Sequence, residues 1–458
     1  MSAPHIATRA TRPRPRGAAS LIVVMVLFFV LSLVAAYTGR NLIFEQRTSV
    51  NQFRAVQGFE AAEAGIEWAL AMLNGGRISD TCLEPVALAA QTSFRQRYLN
   101  IHPVTGMITP RANALGGELT PTCVFNGTTW ICSCPVSGNP MLGAPAGNGV
   151  FPAFRIRFVS TGVVRPGVIG IEAQGCTRLE NACLSFPATA VESEGRALVS
   201  AFIALKPALA TPPAAALTVL GDVNVAGASI VRAYNTDADR GGLALHAGGS
   251  LSPGNSITGP NFVLRGPPGT PSSAAAVLAD PSLTAMNAAP RRVFPTILGT
   301  RLNTYREQPA VVTPFACPAL GDCRAALAAS VALNPGRIHW IQGDLTLSTA
   351  GDIGSLPDPA IPPALPDFTL AGPVMLVVTG RVLVTATVRV FGFVYSQNGD
   401  WQGDWHGNNS EIQGAAFIEG SLGALAAPKI NVDGRVMDAM RMQSGSFVRL
   451  PGSWRDFE

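Results

Sequence analysis

Charge is scarce in this chain. Asp, Glu, Lys and Arg make up 14% of its 458 residues, against about a quarter in an ordinary globular protein. The formal net charge is +4. Much of it sits at the N-terminus, where Arg9, Arg12, Arg14 and Arg16 occur with no acidic residue among them. The remainder is near neutral and lacks the basic field that nucleic-acid binding needs, so no nucleic-acid partner is expected. Histidine is scarce too, with five residues, and Cys132-x-Cys134 is too tight for a zinc knuckle. No Ser/His/Asp or Cys/His triad can be assembled. The expectation is a protein with no catalytic residues, no metal and no cofactor, and therefore no enzyme. Few long helices are expected either, because 47 Gly and 36 Pro imply many turns. The length suggests two or three units.

One long apolar run is present. Ala18 to Tyr37 reads AASLIVVMVLFFVLSLVAAY without a charge. Roughly twenty residues at ~1.5 Å rise cross a ~30 Å hydrocarbon core. The preceding arginines keep the N-terminus cytoplasmic, which places everything after Tyr37 in the periplasm or outside the cell. A cleaved secretory signal has the same basic start and apolar core. Here, however, the run is long for a signal core and continues, with no proline, into a helical pattern through Ile43, Val50, Phe53, Val56, Ile66, Leu70 and Leu73. Gly75-Gly76 is the expected stop. The whole is one helix of about 56 residues, roughly 84 Å long.

Eight cysteines, Cys82, Cys123, Cys132, Cys134, Cys176, Cys183, Cys317 and Cys323, all follow the apolar run. An even number on one side of a membrane span suits disulfides in an oxidising periplasm. Cys123 pairs locally with Cys132 or Cys134, and Cys317 and Cys323 bracket the approach to a short helix. Strand-like runs occupy Phe154–Val159, Val168–Ala173 and Ala197–Leu205; the first alternates apolar residues with Arg, as a half-buried strand does. Lys206–Ala216 (KPALATPPAAA) reads as a Pro/Ala linker.

In the C-terminal half a weak repeat appears. Val390-Phe391-Gly392, Ile412-Gln413-Gly414 and Val432-Asp433-Gly434 share a pattern at spacings of 22 and 20. A second phrase recurs at Leu220-Gly221-Asp222-Val223, Gly343-Asp344-Leu345, Gly380-Arg381-Val382 and Gly420-Ser421-Leu422. Short strands at a period near twenty, separated by Gly/Asn/Asp turns, favour a β-solenoid over an up-and-down β-sandwich. Between about 252 and 340 the pattern breaks. Pro-rich loops come first, then an Ala-rich helix over Cys323–Leu333 with Asp322 as its N-cap. This stretch reads as an insertion, a lid over the open N-terminal end of the coil.

The start of the long helix, Arg16-Gly17-Ala18-Ala19-Ser20-Leu21-Ile22-Val23-Val24, resembles that of PilX-like minor pilins of the type IV pilus machinery. Phe59-Glu60-Ala61-Ala62-Glu63-Ala64-Gly65-Ile66 resembles the F-x-A-A-E-A-G signature of the same family, and the ending Val448–Asp456 is similar too. The resemblance implies processing between Gly17 and Ala18 and, with proximity, a Cys176–Cys183 disulfide. It also implies an inner-membrane location before assembly on the pilus or cell surface. The implied partners are other minor and major pilins and a pilus-tip adhesin. One position departs from the family. Pilins carry Glu at the fifth mature position, where its carboxylate meets a neighbour's terminal amine in apolar surroundings; here that residue is Ile22. This favours a single place in a filament over a repeated one.

The expected fold class combines α+β and all-β parts. Residues 1–17 form a cytoplasmic basic leader, and 18–76 a transmembrane and amphipathic pilin helix. Residues 77–205 form a cysteine-containing head with an antiparallel sheet, 206–216 a linker, and 217–458 a β-solenoid with the insertion near 252–340. Two other readings compete with a pilin of the tip or priming complex. One is a membrane-anchored surface adhesin or carbohydrate-active solenoid; the other is a minor pseudopilin of type II secretion. The densest polar-aromatic cluster, Asp400–Asn409, has Asp400, Asp404 and Asn408 as calcium-type oxygens and two tryptophans for sugar stacking. It lacks the D-x-[DN]-x-[DN]-G loop, and a turn with tryptophans covering the coil edge accounts for it better. Glu60, Glu63 and Glu67 share one side of the helix and read as a solvated or subunit-facing stripe.

Overall fold

A computed structural model describes residues 18–86, 91–113, 116–138, 140–147, 150–160, 165–187, 195–252, 256–287, 292–315, 317, 321–359, 367, 370–405 and 407–456. The helix Ala18–Leu73 runs unbroken for 56 residues. It stops where Asn74-Gly75-Gly76 begins; the Asn74 side-chain amide donates to the Leu70 carbonyl at 2.9 Å, satisfying one of the open carbonyls of the last turn. Leader residues 1–17, including Gly17 and the four arginines, lie outside the described residues.

The distal part of the helix packs on a six-stranded antiparallel sheet. Its order is Gly445–Arg449, Arg196–Pro207, Val168–Cys176, Ala153–Val159, Thr122–Phe125 and Trp130–Ser133. Alternation explains the third of these inner strands: Phe154, Ile156 and Phe158 are buried, while Arg157 points the other way and meets Glu172 at 2.7 Å. The edge strand Gly445–Arg449 comes from the far end of the chain, so the C-terminus returns to the helix side of the molecule.

Between Ala215 and Asn431, all strand pairs found among the described residues are parallel, and they form three rows. The first contains Val311–Phe315, Ile338–Ile341, Val374–Val378, the later parts of Val388–Ser396 and Glu411–Ile418, then Ala215–Val219, Leu243–Ala247 and Ala276–Val277. In the second, Gly351–Ile353 leads through the earlier parts of the same two long strands to Lys429–Asn431, Val231–Tyr234 and Phe262–Arg265. The third joins Leu345–Leu347, Val382–Val384, Trp401–Asp404 and Ala426–Ala427, and beside it Val223–Asn224 pairs with Leu251–Ser252 and Val223 bridges to Leu422. Apolar side chains of all three rows meet in one interior core. Row one is buried on both faces. Val374, Leu376 and Val378 point into that core, whereas Met375 and Val377 point out beneath a layer of helices, so the strand reads as an unbroken apolar run.

The rows do not follow chain order. Leu217–Val219, near the start of this region, lie beside Ala416–Ile418, near its end. One stack of strands grows outward from Ala215 to Val277; the other begins at Val311 and grows back to meet it. Helices Pro281–Asn287, Val293–Leu298 and Leu302–Arg306 span the distance across the outer face of row one. There Leu283, Phe294, Leu298 and Tyr305 pack with Trp340, Val377, Tyr395 and Phe417. The stretch near 252–340, expected to interrupt the pattern, therefore supplies the strands Phe262–Arg265, Ala276–Val277, Val311–Phe315 and Ile338–Ile341.

The repeat phrases have a physical origin. Val390 lies opposite Ile412 and Gly392 opposite Gly414. A Cβ on Gly414 would strike the Gly392 carbonyl oxygen, and one on Gly392 would strike that of Val374. Both strands bend there from one row into the next, and only glycine leaves room. The third phrase is out of register. Ile412 faces Ile430, two residues earlier than the repeat implies, and Asp433 instead caps the helix Gly434–Met442 by accepting the Arg435 N–H at 3.0 Å. The expected N-cap at Asp322 is also corrected: the helix is Arg324–Leu333 and Cys323 holds the cap position. The Asp322 carboxylate reaches across to the next turn, accepting the N–H groups of Ser348 at 2.7 Å and Thr349 at 3.1 Å. Partial burial alone would raise its pKa, but bonds from Thr349, Ser348 and Arg324 outweigh that and hold it below the ordinary carboxylate value. Leu327 and Val331 of this helix enter the interior core beside Gly351–Ile353.

Candidate functional site

Among the described residues, nothing covers the proximal part of the long helix. Its apolar window has a mean hydropathy of 2.7 and none of it is buried. Beyond Tyr37 the helix stays exposed, and Leu42, Ile43, Phe44, Val50, Phe53 and Val56 project on every side. A helix apolar all round is ordinarily covered all round. Ile22, at the position where a carboxylate would stand in pilins, is 61% exposed on this free length. Ala18 is its first helical residue.

From Gly58 onward the helix lies on the antiparallel sheet. Ala61, Ala62, Ile66, Ala69 and Leu73 are buried against it. A Cβ on Gly175 of the sheet would collide with the Gly58 carbonyl oxygen and the Ala62 amide. The small residues of Phe59–Ile66 thus permit backbone-to-backbone approach. Glu60, Glu63 and Glu67 face away and are exposed. Glu67 meets Arg449 at 3.1 Å, and Phe59 packs edge-on against Trp454 at 6.0 Å, so the C-terminal tail borders the acidic side.

Where the helix ends, three parts of the chain are clasped. Asn74 exchanges hydrogen bonds with the backbone of Phe447: its Oδ1 accepts at 2.8 Å and its Nδ2 donates at 2.9 Å. The fully buried Arg95 guanidinium donates to the carbonyls of Leu73 at 2.9 Å, Gly445 at 3.0 Å and Gly336 at 3.4 Å, and lies 5.3 Å from the Phe447 ring centre. Burial, with the Arg337 charge nearby, pulls its pKa down to about 9. Arg97 is buried as well and pairs with Asp80 at 2.9 Å. Nothing in the sequence marked Arg95 or Arg97 for burial. The one available sign was Phe94-x-x-x-Tyr98, whose two aromatics sit in the core on a five-residue helix, Phe94–Tyr98, capped by Ser93 and Gln96.

All eight cysteines are joined in four disulfides. Cys123–Cys132 links two adjacent strands, Cys176–Cys183 closes a short loop, and Cys317–Cys323 precedes the helix Arg324–Leu333. Cys134 bonds to Cys82, 52 residues away, a link no local spacing indicates. In the Asp400–Asn409 segment Trp401 and Trp405 stack on each other at 5.6 Å inside the core and are unavailable to a sugar. Asp400 and Asp404 accept from Gln402 and from the Gly407 N–H, both at 2.9 Å. Among the described residues no group of three or more His, Cys, Asp or Glu is placed to hold a metal ion; His406 lies outside them.

A single membrane-length helix continues, still exposed, into a strand-rich α+β body. Residues 16–67 match the protein-family model described as PilX N-terminal, so this segment is similar to the start of PilX-like pilins. The match ends within the long helix and leaves the rest of the chain unassigned. Among solved structures, the competence-associated pilin ComZ from Thermus thermophilus aligns over 88% of this chain and 97% of its own, at 12% identity and a TM-score of 0.21. A similarity that low says nothing about the fold. No curated protein matches. The PilX-type segment supports a type IV pilin-like role in general terms. Its apolar helix fits a single-pass membrane anchor.

Proposed function

We propose that the protein is a minor pilin of type IV pilus biogenesis, present in a tip or priming complex and contributing to assembly and adhesion. The observation that carries this reading is the PilX-type segment over 16–67 combined with Ile22 in place of the fifth-position carboxylate. Prepilin processing after Gly17 leaves Ala18 as the first residue. Lateral burial of the exposed apolar helix drives association at ~25 cal/mol per Å². Without the carboxylate, a copy of this chain does not hold a neighbour's terminal amine, so it does not repeat along the shaft. The antiparallel sheet on the helix is the pilin head. The three-row parallel body is a β-solenoid that faces outward, and its bulk adds a steric reason for a single place at the end. The four disulfides are formed in the periplasm, with the N-terminus left in the cytoplasm before processing.

Immunogold labelling of the parallel body on native filaments tests this. Label at filament ends, and fewer filaments or weaker adhesion after gene deletion, are the expected results. Dense label along the shaft, or unchanged piliation and adhesion in the deletion, would overturn the tip placement.

A further inference from the structure

The outer face of the second row carries a ladder of charges. Val390, Ile412, Ile430, Ala233 and Leu264 point into the interior core, so the residues on either side of each point outward. On neighbouring strands Asp352 stands beside Arg389, Arg389 beside Glu411, and Lys429 beside Arg232. Arg389 meets Asp352 at 2.6 Å, and Lys429 meets Glu411 at 2.9 Å. The sign therefore alternates as far as Lys429 and then repeats at Arg232. One strand further out, Arg265 stands beside Tyr234 and is exposed, 5.3 Å from the Tyr234 ring centre. Among the described residues neither Arg232 nor Arg265 pairs with a carboxylate; the Arg232 guanidinium donates to the Ile230 carbonyl at 3.4 Å. With strands ~4.8 Å apart and ~3.3 Å per residue, the Cα atoms of the two arginines are about 8 Å apart. Asn431 stands beside Tyr234 in the same cross-strand line, and both are partly exposed.

We propose that this end of the second row binds an acidic polysaccharide of the uronic-acid type, with Arg232 and Arg265 each holding a carboxylate. This rests on the adhesion reading above and names the class of ligand. A guanidinium fork matches a carboxylate with two parallel hydrogen bonds. The Asn431 amide and the Tyr234 hydroxyl stand beside the arginines as partners for ring hydroxyls. The side chains of this face are mostly polar or charged, unlike the large apolar anchors at the centre of a protein interface. They suit an extended polar polymer laid along the strands. Asp352 and Glu411 in the same ladder disfavour the uniformly charged backbone of a nucleic acid.

The test measures binding of polygalacturonate to the full-length protein in detergent, with the methyl ester of the same polymer as the uncharged control. Polygalacturonate should bind, and the ester should bind about tenfold or more weakly. R232Q/R265Q should weaken polygalacturonate binding about tenfold or more. R301Q/R306Q removes the same charge from exposed arginines outside this face and should leave binding unchanged. Equal binding by the unaltered protein and R232Q/R265Q, an equal loss in R301Q/R306Q, or equal binding of the ester would overturn the proposal. Polyglutamate bound as tightly as polygalacturonate would overturn it too, in favour of an acidic peptide. Attachment of cells to a polygalacturonate-coated surface separates the site from the adhesion reading. If gene deletion lowers attachment and R232Q/R265Q does not, the site is wrong and the adhesion reading stands. If deletion leaves attachment unchanged while the purified protein keeps its arginine-dependent binding, the site stands and the adhesion reading falls.

Discussion

The two parts of the long helix have similar apolar content and opposite fates. From Ser20 to Val56 the large side chains point everywhere and none is covered. From Gly58 to Leu73 one side is reduced to Gly, Ala and a few large apolar residues and is buried, while the other carries Glu60, Glu63 and Glu67. The difference lies in side-chain size. Glycine and alanine let the distal helix touch the strand backbone of its own chain, so that part is completed in cis. The proximal part, bulky on all sides, is covered by none of the described residues of its own chain.

The sharpest way to break this contrast is to exchange small for large at the docking point. Gly175→Val places a branched side chain against the Gly58 carbonyl. It should destabilise the full-length protein in detergent by about 3 kcal/mol or more, read as a large fall in Tm. Gly39→Leu on the free part meets nothing within 4 Å and should leave Tm unchanged or slightly raised. Equal effects of the two substitutions would mean that the helix does not dock as described.

The clasp comes next. Arg95→Met removes the donor shared by the carbonyls of Leu73, Gly336 and Gly445 and should cost about 2–4 kcal/mol. Limited proteolysis should show the C-terminal strand Gly445–Arg449 released first. Acid should act on the body rather than on either part of the helix. His339 is buried, with Nε2 3.2 Å from the Ser330 hydroxyl of the helix Arg324–Leu333; burial, reinforced by the Arg337 charge, lowers its pKa to about 4. A histidine held neutral contributes its full stability above its ordinary value of about 6.5. That contribution is lost as pH falls toward 4, because the unfolded chain takes up the proton first. His339→Gln should flatten the pH dependence of Tm between those values. At the small end, Glu67→Gln breaks an exposed pair with Arg449 and should change stability by about 0.5 kcal/mol or less.

Much of the helix was legible because its signals are local: an uninterrupted apolar run, no proline, and Asn74-Gly75-Gly76 as the stop. The strands at 154–159, 168–173 and 197–205 announced themselves by alternation and apolar content, and Gly392 and Gly414 by a repeat that reflects a shared bend. What could not be read depends on distance along the chain. The Cys82–Cys134 link spans 52 residues. The pairing of Leu217–Val219 with Ala416–Ile418 joins the beginning of the parallel region to its end, and a period near twenty residues does not say which strand stands next to which. Arg95 was hidden for a related reason: its three carbonyl acceptors come from three separate segments. Asp322 was misplaced by a single residue because its strongest partners, Ser348 and Thr349, belong to the next turn and not to its own helix.

Processing after Gly17 would make the free length of helix that of a mature pilin. N-terminal sequencing of the native protein tests it most directly. The expected result is a mature chain beginning at Ala18, with Gly17→Val leaving a full-length, membrane-retained form. A native protein beginning at Met1 or Ser2 would contradict it.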